Sequence, residues 1–140
     1  MTKKILCAVD DTEHSNSAVA VAGELAKATG AELTLLAVNV PMGGAARGGI
    51  MVFAWEDADL KRVLDSATAI AKKVGVSAPK TASVKSRDAA RSIVVYAEDN
   101  DIDHIVVGTG GKGGVARLML KRRYRSCALP CDRRTVAAQQ

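Results

Sequence analysis

A single doubly wound, open parallel α/β sheet with helices on both faces is the fold class this sequence predicts. Three observations predict it. Short aliphatic, often β-branched runs alternate with longer stretches at helical spacing, the pattern of successive βαβ units. Apolar residues make up 48% of the chain but aromatics only 3%, so Ala, Val, Leu and Ile must fill the interior, as they do between a parallel sheet and its helices. The length of 140 residues is that of one domain with one buried core.

The elements follow in order. Ile5 to Val9 is a first buried strand, ended by Asp10-Asp11-Thr12, with Thr12 or Ser15 placed to cap the next helix. Ala18, Ala22, Leu25, Ala26 and Thr29 repeat at helical spacing, and Gly30 is a natural C-terminal stop. Glu32 to Val40 reads as the second strand, with Leu33, Leu35, Leu36 and Val38 apolar. Residues 41–53 hold four glycines and little to pack, which predicts a mobile surface loop. A second helix runs from Trp55 to Lys73 with Leu60, Val63, Leu64, Ala67, Ile70 and Ala71 on one face. Thr81 to Val84 is a short third strand, Asp88 opens a third helix, and Ile102 to Val107 is a fourth strand ending at Gly108.

The charge is unevenly placed. Six of the 20 basic residues and one of the 15 acidic ones fall in 121–140, leaving fourteen of each before it. The excess belongs to the tail and not to a folded face, so general nucleic-acid binding is not expected. No apolar run approaches the ~20 residues of a membrane span, and the first strand is too short for a secretory core. A cytoplasmic protein without a membrane partner is expected. Cys7 reads as a core residue. Cys127 and Cys131 stand four apart with no His or further Cys near them, too little for a metal site.

In an open parallel sheet, ligands bind beyond the carboxyl ends of the strands, near a reversal in strand order. Gly108-Thr109-Gly110-Gly111-Lys112-Gly113-Gly114 follows the fourth strand. Five glycines in seven residues let backbone approach a ligand and aim N–H groups at phosphate. The run is neither a Walker A loop nor GxGxxG after a first strand. By itself it reads equally as a flexible turn.

Over residues 1–120 the chain resembles the universal stress protein family. The matching residues are Ala8-Val9-Asp10 at the end of strand one, Leu36-Ala37-Val38 in strand two, and Asp103-His104-Ile105-Val106-Val107-Gly108-Thr109. Gly108-x-x-Gly111 opens the family's ATP motif, G-x-x-G-x9-G-[S/T]. The resemblance implies a HUP-type fold, similar to adenine nucleotide α hydrolases. It also implies an ATP-binding set of Ala8, Val9, Asp10, Val38, Val107, Gly108, Thr109, Gly111 and Gly114, with Mg²⁺ on the phosphates. In that set Asp10 lies by the nucleoside, the Val38 backbone meets adenine, and the glycines hold ribose and phosphates. Simpler roles stand beside these. Asp10 could cap the first helix, Val38 is core in any case, and the glycines could serve turn geometry. Lys112 and Arg117 read as solvated charge, and His14 and His104 have no partner pattern for acid–base or metal work. No nucleophile–base pairing is recognisable.

The resemblance breaks at residue 121. The motif requires Gly then Ser or Thr there, where this chain has Lys121 and Arg122. An amphipathic helix and a final Val-rich strand are expected next, and a basic tail replaces them. One choice of codons for Lys121 to Val136, read one nucleotide later, encodes SVAIEVAHSLVTVVR and a stop. Two restored nucleotides return glycine then serine. The tail therefore reads as a shifted reading frame, giving residues 1–120 as the stress-protein domain and 121–140 as a divergent basic tail. The last strand is then lost or altered, leaving a four-strand core with an exposed apolar edge, and Thr135-Val136-Ala137 offers only a scrap of strand. The functional expectation is a stress-response protein that binds adenine nucleotide and is not an enzyme. The resemblance also implies a homodimer, weakened if the last strand is missing. The alternative is a family member that acts through dimerisation and protein partners without nucleotide.

Overall fold

The computed structural model describes residues 3–10, 12–41, 53, 55–109, 115–120 and 126–128. Its elements are β1 (Lys4–Val9), α1 (Glu13–Thr29), β2 (Glu32–Asn39), α2 (Asp57–Val74), β3 (Lys80–Lys85), α3 (Ala89–Asp99), β4 (His104–Thr109), β5 (Val115–Leu120) and β6 (Ser126–Ala128). They form one sheet in the order β3-β2-β1-β4-β5-β6. Three parallel pairings join β3, β2, β1 and β4, with Val9 opposite Ala37 and Ala8 opposite Val107.

The continuous apolar strands follow from burial on both faces. On one face Ile5, Cys7, Leu33, Leu35 and Val106 pack against Ala18, Val19 and Ala22 of α1 and Val63, Ala67 and Ala71 of α2. On the other, Leu6, Leu36 and Ile105 pack with Ala97 of α3 and Ile102. Ile5, Leu6, Leu33, Leu35, Leu36 and Ile105 are fully buried, each stabilising the fold by about 1.5–3 kcal/mol relative to exposure. The helix ends behave as their residues dictate. Thr12 caps α1 by accepting from the Ser15 N–H, and Gly30 ends it at φ 70. Asp88 caps α3 by accepting from the Arg91 N–H.

Two differences from the sequence reading have physical causes. β4 begins two residues later than expected, because 102–103 belong to the turn after α3. There the Ile102 N–H donates to the Ala97 carbonyl, and the Asp103 carboxylate accepts from the N–H groups of Lys3 and Lys4. The edge beyond β4 is also not left bare. β5 lies antiparallel on β4 and β6 antiparallel on β5. The five residues between β4 and β5 are too few for a parallel crossover, so the chain returns antiparallel and covers the backbone groups of β4. The Thr135–Ala137 scrap lies outside the described residues. No helix among the described residues is long and apolar enough to cross a membrane.

Candidate functional site

Strand order reverses at β1. β2 and β3 lie on one side and β4 on the other, so the carboxyl ends of β1 and β4 frame the crevice where open α/β sheets take ligands. Asp10 stands directly after β1, Val38 near the end of β2, and Val107, Gly108 and Thr109 end β4. The fold therefore brings the ends of these three neighbouring strands to one rim of the sheet.

Side-chain alternation sorts them. Ala8, Val38 and Val107 point to the same face as Leu6, Leu36 and Ile105, one row nearer the rim. The lower row is fully buried, while the upper three are half-buried. They make a small apolar shelf at the strand ends. Val9 points to the opposite face and is 4% exposed within the α1–α2 core, so only its backbone is offered at the rim.

Asp10 is exposed at the lip of this shelf. Its Oδ1 accepts from both the N–H and the hydroxyl of Thr12, and its own N–H donates to Ser15 Oγ at 2.8 Å. The helix cap is Thr12, so Asp10 is not the cap. It forms an Asx turn that fixes the carboxylate, and Oδ2 has no partner among the described residues. Ser15, read from sequence as an alternative cap to Thr12, is not the cap; its buried hydroxyl instead accepts from the Asp10 N–H.

Gly108 sits against the first turn of α1. A Cβ there would lie 2.4 Å from the His14 carbonyl oxygen and 2.6 Å from its carbon, so only glycine lets the end of β4 approach the helix this closely. Gly111 and Gly114, with Lys112, Lys121 and Arg122, lie outside the described residues.

Asn39, fully buried, was missed from sequence. Its Nδ2 donates to the Trp55 carbonyl at 2.7 Å and its Oδ1 accepts from the Trp55 N–H at 3.0 Å. Its backbone carbonyl accepts from the Ser86 N–H at 3.1 Å. Pro41 and Phe53 form a bridge just beyond, and Lys85 Nζ lies 5.2 Å from the Phe53 ring centre. Asn39 thus ties the end of β2 to the start of α2. Nothing at the level of local pattern announces a partner sixteen residues away.

The titratable groups offer little acid–base chemistry. Burial, helped by the negative charge of Asp10, pushes the Cys7 thiol well above its usual range, making it an inert core residue. Burial lowers the pKa of His104 against the opposing pull of Asp103. Among the described residues no three His, Cys, Asp or Glu side chains cluster as metal ligands.

Comparison with known proteins agrees with this architecture. The sequence model of the Universal stress protein family matches residues 1–131. No curated protein sequence matches significantly. A universal stress protein family member from Burkholderia pseudomallei is similar at 26% identity, over 77% of this chain and 82% of that one, with a TM-score of 0.59. A universal stress protein crystallised in complex with cAMP is 21% identical over 73% of each chain, TM-score 0.59. The universal stress protein from Archaeoglobus fulgidus in complex with dAMP is 21% identical over 75% of this chain and 79% of that one, TM-score 0.55.

Proposed function

Since the chain belongs to the universal stress protein family, we propose that it binds an adenine nucleotide at the rim formed by β1, β2 and β4, and that ATP is its ligand. The observation that carries this reading is the half-exposed shelf of Ala8, Val38 and Val107 beside a fixed carboxylate. A flat apolar surface suits a purine face, and Asp10 Oδ2 suits a ribose hydroxyl donor. The cAMP and dAMP complexes of similarly folded proteins support the same ligand class. The phosphates would extend toward residues 108–114, where glycine backbone and Lys112 supply N–H groups and charge, with Mg²⁺ on the phosphate oxygens.

The protein acts in this reading as a nucleotide-responsive stress protein of the cytoplasm, not as an enzyme. Phosphoryl transfer needs a group that positions or deprotonates the attacking hydroxyl or water. Asp10 is held by Thr12, and the sequence shows no recognisable nucleophile–base pairing. A second reading, action through protein partners without nucleotide, is favoured by one observation. Lys121 and Arg122 occupy the positions of the motif's Gly-Ser.

Calorimetric titration of the full chain separates the two. The nucleotide reading predicts a saturable heat with ATP and Mg²⁺, no comparable heat with GTP, and affinity at least tenfold weaker in Asp10→Ala, the loss of about one charged hydrogen bond. Absence of ATP binding at millimolar concentration would favour the partner reading.

A further inference from the structure

The sheet ends at β3, and no strand among the described residues lies on the side away from β2. Every second N–H and carbonyl of Lys80–Lys85 is therefore directed outward, a row of backbone groups to which another strand can add. Lysines on an edge strand ordinarily oppose such an addition. Here both are engaged within the chain. Lys80 Nζ meets Glu32 Oε1 at 2.9 Å, and Lys85 Nζ lies 5.2 Å from the Phe53 ring centre. Between them Thr81 and Ser83 are exposed, and Ala82 and Val84 are half-buried.

Beside this edge, α3 and the end of β3 enclose a groove of about 310 Å³. Val84 and Tyr96 stand in its walls with Val95, which is 44% exposed and the only large apolar side chain so exposed among the described residues. Arg91 and Asp99 line the groove too, each exposed and each four residues from Val95. At 1.5 Å rise per residue, the two stand about 12 Å apart along the helix. Neither the Arg91 guanidinium nor the Asp99 carboxylate has a partner among the described residues. The groove is thus positive at one end, negative at the other and apolar between.

An extended strand matches that spacing. Its residues i, i+2 and i+4 share one face, and i and i+4 lie about 13 Å apart. We propose that β3 and α3 form a docking site for an extended segment of a protein partner, which adds as a strand to the β3 edge and turns that face into the groove. The segment carries one acidic and one basic residue at i and i+4, in either order, with an aliphatic residue at i+2. Its acidic side chain meets Arg91, its basic one meets Asp99, and its aliphatic one rests on Val95, Val84 and Tyr96. Backbone pairing with β3 supplies affinity, and the two charged ends supply selection. The site lies at the sheet edge remote from β4, and the inference does not rest on nucleotide binding.

Amide chemical shifts of the full chain test it, in titration with a capped nonapeptide centred on Lys-Thr-Val-Thr-Glu. The expected result is saturable binding with a Kd below about 1 mM, with shifts centred on β3 and α3. A peptide centred on Lys-Thr-Val-Thr-Lys should bind at least tenfold more weakly, and Arg91→Asp should reverse the preference between the two. Val95→Asp should abolish binding. N-methylation of alternate peptide residues should abolish binding in one register and not in the other, because an added strand bonds to β3 along one edge only. Arg91 and Val95 are exposed, and unchanged circular dichroism confirms that each variant folds. No binding of the first peptide, shifts centred elsewhere, no reversal in Arg91→Asp, or equal tolerance of both N-methyl registers would each overturn the proposal.

Discussion

At Gly108 two explanations of one glycine make different demands. A phosphate cradle needs its backbone N–H, whereas helix packing needs its missing Cβ. The structure supplies the second reason directly, since a Cβ would collide with the backbone of His14 and not with a movable side chain. Gly108→Ala should therefore destabilise the chain by about 1–3 kcal/mol, as overpacking does, read from urea denaturation without any nucleotide present. Unchanged stability would return the glycine to a ligand role alone. His104 carries a second residue-scale prediction. Burial lowers its pKa, so the unfolded chain binds more protons than the folded one across that range. Stability is fully present above about pH 6.5 and is lost as the pH falls through the lowered folded value. His104→Gln should flatten this acid-side decline in urea midpoints measured between about pH 7.5 and 5. An identical slope in the variant would contradict it. Of these residues, Asp10 and Gly108 were legible as strand-end features. Their actual contacts, a Thr12 hydroxyl and a helix backbone, were not, because both arise from the angle at which α1 leaves the sheet.

Among the elements, the join between β2 and α2 is the least visible in sequence and the most specific in structure. A glycine-rich stretch after Val40 reads as a loop, yet both its ends are held. Asn39 makes two hydrogen bonds to the Trp55 backbone, and Trp55 leads directly into Glu56, the cap of α2. Asn39→Leu should leave the Trp55 N–H and carbonyl without their buried partner, at about 1–3 kcal/mol. Trp55 is the chain's one tryptophan, so its fluorescence reports the site without interference. A shifted emission maximum together with a lower denaturation midpoint is expected, and no change in either would contradict the tie. The boundaries of β1, β3, α1 and α2 were readable to within two residues, because aliphatic runs and caps mark them. Those of β4 were displaced, since Ile102 is as apolar and buried as a strand residue while belonging to a turn.

For the molecule as a whole, the parallel core and its two faces were legible because β1, β2 and β4, buried on both sides, are continuously apolar, while the edge strand β3 is short and polar. The antiparallel β5 and β6 were not. Val115 to Leu120 was read as part of the glycine-rich motif and its continuation, and pairing was decided by the shortness of the link after β4. That same edge is where the basic tail begins, so the fold and the site meet at the point where the sequence leaves its family pattern. The proposed function requires the rim of β1, β2 and β4 to suffice for adenine nucleotide with Lys121 and Arg122 in place of Gly-Ser. The most direct measurement is calorimetric titration of this chain, and of Asp10→Ala, with ATP and Mg²⁺. Saturable binding by the chain, at least tenfold weaker in the variant, is the predicted result. No binding by the chain, or equal binding by both, would contradict it.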